Sequence, residues 1–213
     1  MTQNPFSRIS RTLVALGLVG SLASCAAISA VSDATTPLDV YELRAPSSIQ
    51  ASARRSLQRD VIVELPTTGG SLDTDRIMIR PDALQAQYLP DVRWSEPTPV
   101  MVQTLMLRTI EATGAVRYVA RKPLGAGGDF AIVTEVVDFQ AETMDDEEGA
   151  TVRIRLIVRV VRESDARIIA SRTFDTTAEA TSTETQVLAE TFNTASDAVF
   201  TEFASWLTGI LRG

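Results

Sequence analysis

From Thr151 to Arg162 apolar and charged residues change places at almost every step: Val152, Ile154, Leu156, Val158 and Val160 alternate with Arg153, Arg155 and Arg159. A period of two is the signature of extended chain, whose successive side chains leave on opposite faces; on a helix the same residues would scatter. One face has to be buried and the other wetted, the arrangement of an antiparallel sheet covered on one side. Phe130 to Thr143 precedes this segment, with Asp145-Asp146-Glu147-Glu148-Gly149 as the turn between them. Ser164-Asp165 supplies a second turn, and Ala166 to Thr176 completes a three-stranded meander.

A sheet with one apolar face needs a cover, and the end of the chain supplies it. From about Thr183 to Leu211 the residues Leu188, Phe192, Ala195, Val199, Phe203, Trp206 and Ile210 recur at three- and four-residue steps, which aligns them into one helical stripe. A second helix opens at Thr98-Pro99, with Thr98 as N-cap and Pro99 where a missing N–H costs nothing. Val102, Leu105, Met106 and Ile110 share its apolar face, and Gly114 offers a left-handed stop.

The remaining segments read as shorter strands. Val40 to Leu43 alternates and stops before Pro46, Asp60 to Leu65 is apolar enough for a central strand and ends at Pro66, and Thr67 to Gly70 is a loop. Arg76 to Arg80 is a strand closed by Pro81, which cannot donate to a ladder. Tyr88 to Trp94, interrupted by Pro90, is an irregular crossing or edge strand. Ala115 to Ala120 is a strand, and Lys122 to Asp129 a glycine-rich loop. The fold class expected is α+β, an antiparallel or mixed sheet with two helices packed on one face.

The first residues follow different rules. Arg8 and Arg11 precede an apolar run from Leu13 to Gly20, too short to cross a hydrocarbon layer of ~30 Å, and Leu22-Ala23-Ser24 leads into Cys25, the only cysteine in the chain. This resembles a bacterial lipoprotein signal with its lipobox. The resemblance implies a leader at residues 1–24 and a diacylglyceryl group on the Cys25 thiol, with Cys25 as the mature N-terminus. One acyl chain anchors marginally at ~0.8 kcal/mol per buried CH₂, whereas the two or three of a lipoprotein hold durably. Ala26 rather than Asp after the cysteine fits sorting to the outer membrane. Residues 25–37 read as lipidated N-terminus and tether, with a flexible reach of roughly 20 Å, and residues 38–213 as one periplasmic domain. An ordinary secretory leader or a short membrane helix is the plainer reading of the same segment.

Composition narrows the chemistry. Loss of Arg8 and Arg11 with such a leader takes the formal charge from −7 to −9, which opposes binding to phosphate backbones or anionic lipid, so no nucleic-acid partner is expected. The sequence has no histidine. Ser-His-Asp and Cys-His nucleophile systems are excluded, as are zinc sites built on imidazole, and no cofactor is implied. Carboxylates, Lys122, tyrosines and hydroxyls remain. Asp145 to Glu148 offers oxygen to a hard cation but lacks EF-hand spacing and falls at a hairpin turn. Gly125-Ala126-Gly127-Gly128 lacks the following GK[ST] of a phosphate loop and leads into a strand. Asp73 with Asp75, or Glu135 with Asp138, would need a substrate cleft between them to act as a hydrolytic pair. Arg153, Arg155 and Arg159 could meet an acidic partner or balance neighbouring acids on a wetted face. A non-enzymatic protein is the expectation.

Tyr41-Glu42-Leu43 with Pro46, the strand Val61 to Leu65, Arg76 to Arg80, Tyr88 through Trp94-Ser95-Glu96-Pro97, the helix after Pro99, Phe130 to Glu142 and the aromatic last helix together resemble the ABC-type transport auxiliary lipoprotein family. The resemblance implies a periplasmic domain held on the inner leaflet of the outer membrane through acylated Cys25. It would serve an ABC transporter with an MCE-type protein that moves lipid between the envelope membranes. Binding and docking are then the role, with exposed sheet edges or loops making contact, and assembly of copies around a tunnel mouth is compatible with it. A lipid-binding periplasmic shuttle and a structural envelope lipoprotein are the competing readings.

Overall fold

Strands β8 (Phe130–Thr143), β9 (Ala150–Arg162) and β10 (Arg167–Ala180) form the antiparallel meander that their alternation requires. The computed structural model describes residues 37–49, 51, 55–125, 127–143 and 148–213. The segment read above as a leader, Cys25, the residues read as a tether as far as Thr36, Ala126 and the turn residues Asp145–Glu147 lie outside the described residues. Residues 39–213 form one unit, and the elements below belong to it.

Earlier strands complete the sheet around β8. They are β1 (Asp39–Tyr41), β2 (Leu57–Val63), β3 (Thr67–Thr68), β4 (Met78–Asp82), β5 (Gln85–Tyr88), β6 (Val92–Trp94) and β7 (Val116–Ala120). One edge of β8 runs along β9. The other is filled in turn by three parallel partners: β2 at Phe130–Ile132, β3 at Glu135–Val136 and β4 at Ala141–Glu142. β7 flanks β2 in parallel, so the main path is β10-β9-β8-β2-β7 and the sheet is mixed. A register shift between Val136 and Asp138 marks a bulge at Val137. It changes which parity faces inward, from Ile132, Thr134 and Val136 before it to Phe139 and Ala141 after it.

Helices α1 (Thr98–Thr113) and α2 (Thr185–Arg212) cover the inward face. Val152, Ile154, Leu156, Val158 and Val160 from β9 join Phe192, Val199 and Phe203 from α2 and Met106 and Ile110 from α1 in one core. Trp94, Phe139 and Phe192 form its aromatic centre, with ring centroids 5.2 Å apart for Trp94–Phe192, 5.5 Å for Phe139–Phe192 and 6.2 Å for Trp94–Phe139. Such pairs contribute about 0.5–1.5 kcal/mol each beyond the area they bury.

Several local expectations change. Thr98 is the first helical residue rather than the N-cap; its N–H and hydroxyl both donate to the Thr74 carbonyl, at 2.9 and 3.2 Å, so the donor is satisfied from a distant loop. Gly114 ends α1 in the left-handed conformation, at φ 57°. Thr67-Thr68 is a short strand rather than loop, because the exposed edge of β8 there needs a partner. Pro81 lies inside β4 instead of closing it: it follows the last pair with β8, Arg80–Glu142, and sits at an irregularity in the pairing with β5, where no ladder N–H is required. The stretch from Tyr88 to Trp94 splits into β5 and β6 at a turn that holds Asp91 at φ 56°. β1 stays out of the main sheet and pairs in parallel with β6.

Candidate functional site

The described residues singled out by sequence are scattered over the domain. On the face away from the helices, Asp175 of β10 accepts from Arg155 Nε at 2.9 Å and from Arg153 at 3.4 Å, while Asp138 and Glu142 of β8 approach the same two guanidinium groups at 3.6 and 3.5 Å. The hydrogen bond and charge of Asp175 hold the Arg155 guanidinium above its ordinary pKa. Gln140 Nε2 donates to Asp138 and Glu142, both at 3.1 Å. Arg159 shares this face opposite Val133 and Ser171. The arginine stripe is therefore largely balanced by neighbouring acids. Glu135 and Asp138 are separated by the bulge, and Asp138 is engaged by Arg155. Asp75 pairs with Arg93 at 3.2 Å, while Asp73 is exposed.

The glycine-rich loop is a crossover. β7 and β8 both run parallel to β2, and the end of β7 at Ala120 is level with Ile62 while β8 begins opposite Val61. A short loop therefore suffices where parallel connections ordinarily need a dozen residues or more. It passes close over β2: a Cβ on Gly128 would lie 2.8 Å from Ile62 Cγ1 and 3.2 Å from the Asp60 carbonyl. Asp129 N–H donates to the Asp60 carbonyl at 2.8 Å, Asp60 N–H donates to Asp129 Oδ2 at 2.8 Å, and Glu163 accepts the Gly128 N–H. Gly128 is the glycine this passage requires, whereas a Cβ on Gly125 would meet nothing within 4 Å. Of the acidic turn, Glu148 alone is described, and it is exposed.

Sequence reasoning missed a groove that joins distant segments. Tyr41 to Arg44 forms one wall and Gln186, Ala189, Glu190 and Asn193 of α2 the other, with Trp94 between them, around a volume of about 570 Å³. The helix residues stand at i, i+3, i+4 and i+7 and so share one face. Gln186 Nε2 donates to Glu190 at 3.1 Å. The strand wall is positioned by the β1–β6 ladder, in which Tyr41 pairs with Trp94 and accepts from Ser95 N–H at 2.8 Å. β6 is held in turn by Trp94 N–H donating to the Asp75 carbonyl at 2.7 Å. The exposed alternation of Glu42 and Arg44 was the available signal, but the opposite wall lies in the last helix.

These elements define a class: an α+β domain with a curled mixed sheet, two helices on one face and an open groove at the β1–β6 ladder. The chain belongs to the ABC-type transport auxiliary lipoprotein component family, whose model matches residues 41–204. A protein of solved structure from Xanthomonas campestris, assigned to the domain family DUF330, shares the fold at TM-score 0.73 and 24% identity, over 83% of this chain and 97% of its own. An uncharacterized protein of solved structure matches at TM-score 0.59 and 13% identity, over 81% and 99%. Among curated proteins the chain has no match.

Proposed function

We propose that this protein is a non-catalytic docking component of an ABC transport system whose partner is an MCE-type protein, and that it takes part in lipid movement between the inner and outer membranes. The observation that supports this reading is the family match across residues 41–204. Cys25, acylated, holds the domain on the periplasmic face of the outer membrane, and the tether from Ala26 to Pro37 gives it a reach of roughly 20 Å. Docking asks for no proton or group transfer from the domain. It asks for a surface within reach of the bilayer, and the groove beside β1 lies a few residues after the tether in sequence.

The test combines anchoring and capture. Wild-type protein is expected in the outer-membrane fraction with acyl mass on its N-terminal peptide, and Cys25→Ala in an uncleaved or soluble form. A photo-crosslinking residue placed in cells at Asn193, and separately at Ser171, is expected to give an adduct with the MCE-type protein. Unchanged partitioning of Cys25→Ala overturns the anchor. Absence of MCE adducts, with phospholipid retained by the delipidated protein in native mass spectrometry, overturns docking in favour of a lipid shuttle.

A further inference from the structure

The walls of the groove specify an occupant, if the docking reading on which this rests holds. β1 is laddered by β6 on one side and, among the described residues, by no strand on the other. The strand-like alternation continues past its end, with Leu43 buried and Glu42 and Arg44 exposed. Among the described residues, Glu42, Leu43 and Arg44 make no backbone hydrogen bond. Opposite them stand the carboxamides of Gln186 and Asn193, groups able to donate to and accept from a main chain. The walls match in length. Four extended residues and seven helical steps each cover roughly 10 Å.

We propose that this groove takes an extended segment of a partner protein, which adds as a strand beside Tyr41–Arg44 and carries a basic and an acidic side chain two positions apart. The main-chain groups of Glu42 to Arg44, without a backbone partner among the described residues, give such a segment its hydrogen bonds, and alternate side chains give it specificity. Glu42 and Arg44 are two apart on one side of the wall, so the residues opposite them are two apart as well, one basic and one acidic, because opposite charges facing across a ladder are favourable and like charges are not. Glu190 adds a second carboxylate on the helix wall. The same carboxylates repel an anionic bilayer, which sets a peptide above a headgroup as the occupant.

The experiment uses the full chain in detergent with a photo-crosslinking residue at Asn193, and acetylated, amidated pentapeptides as probes: Val-Lys-Val-Glu-Val, Val-Glu-Val-Lys-Val, Val-Lys-Val-Lys-Val and Val-Glu-Val-Glu-Val. One or both mixed-charge peptides are expected to give adducts about fivefold more readily than either like-charge peptide. Glu42→Lys, an exposed change, is expected to shift the preference to the doubly acidic peptide. Equal yields from all four peptides, no adduct at millimolar peptide, or a preference unmoved by Glu42→Lys overturns the proposal. An adduct with a second copy of the chain in place of peptide overturns it too. Capture of the MCE-type protein from Ser171 while the groove ignores peptides sinks this inference alone. Peptide binding without MCE capture sinks the docking reading alone.

Discussion

Tyr41 and Trp94 are register partners in the three-residue parallel ladder of β1 and β6, and the Tyr41 carbonyl accepts from the N–H of the next residue, Ser95. Two of the motifs that carry the family resemblance are therefore a single structural unit. Trp94 then turns inward against Phe139 and Phe192 and ties that unit to the core, while Tyr41 to Arg44 line the groove.

Trp94→Ala is expected to lower stability by about 3–5 kcal/mol, the range for truncating a large buried aromatic, since the indole is 1% exposed. Urea denaturation with an unchanged slope checks it. Trp94→Phe, which keeps an aromatic edge against Phe192, should lose less. A loss below about 1 kcal/mol for the alanine variant would contradict the central place given to this side chain.

Neighbouring glycines in the crossover should behave differently. Gly128→Ala drives a Cβ into Ile62 and the Asp60 carbonyl, and is expected to cost about 1–3 kcal/mol. Gly127→Ala meets only the far end of the Glu163 carboxylate, a flexible side chain that can move aside at the loss of its bond from the Gly128 N–H, and should cost less than Gly128→Ala. Thermal denaturation of the two variants side by side is the check; equal losses would remove the argument that the loop is pressed against β2.

What the sequence made legible was local. The meander and both helices follow from side-chain period, and Gly114 from its position after the last apolar residue of α1. Pairings between distant segments were not legible. Nothing in Thr67-Thr68 marks a strand until β8 presents an edge to it, and Pro81 hid the β4–β5 hairpin because proline signals a break without saying where the ladder tolerates one. The bulge at Val137 was hidden by two adjacent valines that fit either face. The groove was the least legible feature, since its walls come from opposite ends of the domain. Cys25 is carried by motif alone.

Asp175 serves two arginines, so its removal should leave Arg153 and Arg155 with only the longer contacts to Glu142 and Asp138. These side chains are about one-third exposed, and exposed pairs contribute little in water. Asp175→Asn is expected to cost about 1 kcal/mol or less at low salt, with the difference shrinking as salt rises past 0.15 M, where the screening length is ~8 Å. Urea midpoints in low and high salt measure it, and a salt-independent loss would point to packing instead.

Gln103 links α1 to the end of β2: its Nε2 donates to the Val63 carbonyl at 2.8 Å, and its Oε1 accepts from Arg121 at 3.0 Å. Gln103→Leu keeps much of the volume but leaves the Val63 carbonyl without that donor, so a loss of about 1–3 kcal/mol is expected. Gln103→Glu keeps the acceptor for Arg121 and loses the donor to Val63. If the two variants lose equally, the Val63 bond carries the effect; a much smaller loss in Glu assigns it to Arg121. Chemical denaturation of both decides it.

Asp197 on α2 has a carboxyl pushed above its ordinary value near 3.8 because burial disfavours its charged form. The folded chain therefore holds this proton more tightly than the unfolded chain. Stability from this group is fullest below the unfolded value and is lost as pH rises through the raised folded value, after which the charged carboxylate is a constant cost. Asp197→Asn removes the titration. The variant is expected to match wild type near pH 3 and to be the more stable at pH 7, the gap opening from about pH 4 upward. Thermal midpoints of the two proteins across that range provide the measurement, and a gap that is already full at pH 3 would assign the effect to something other than the charge of Asp197.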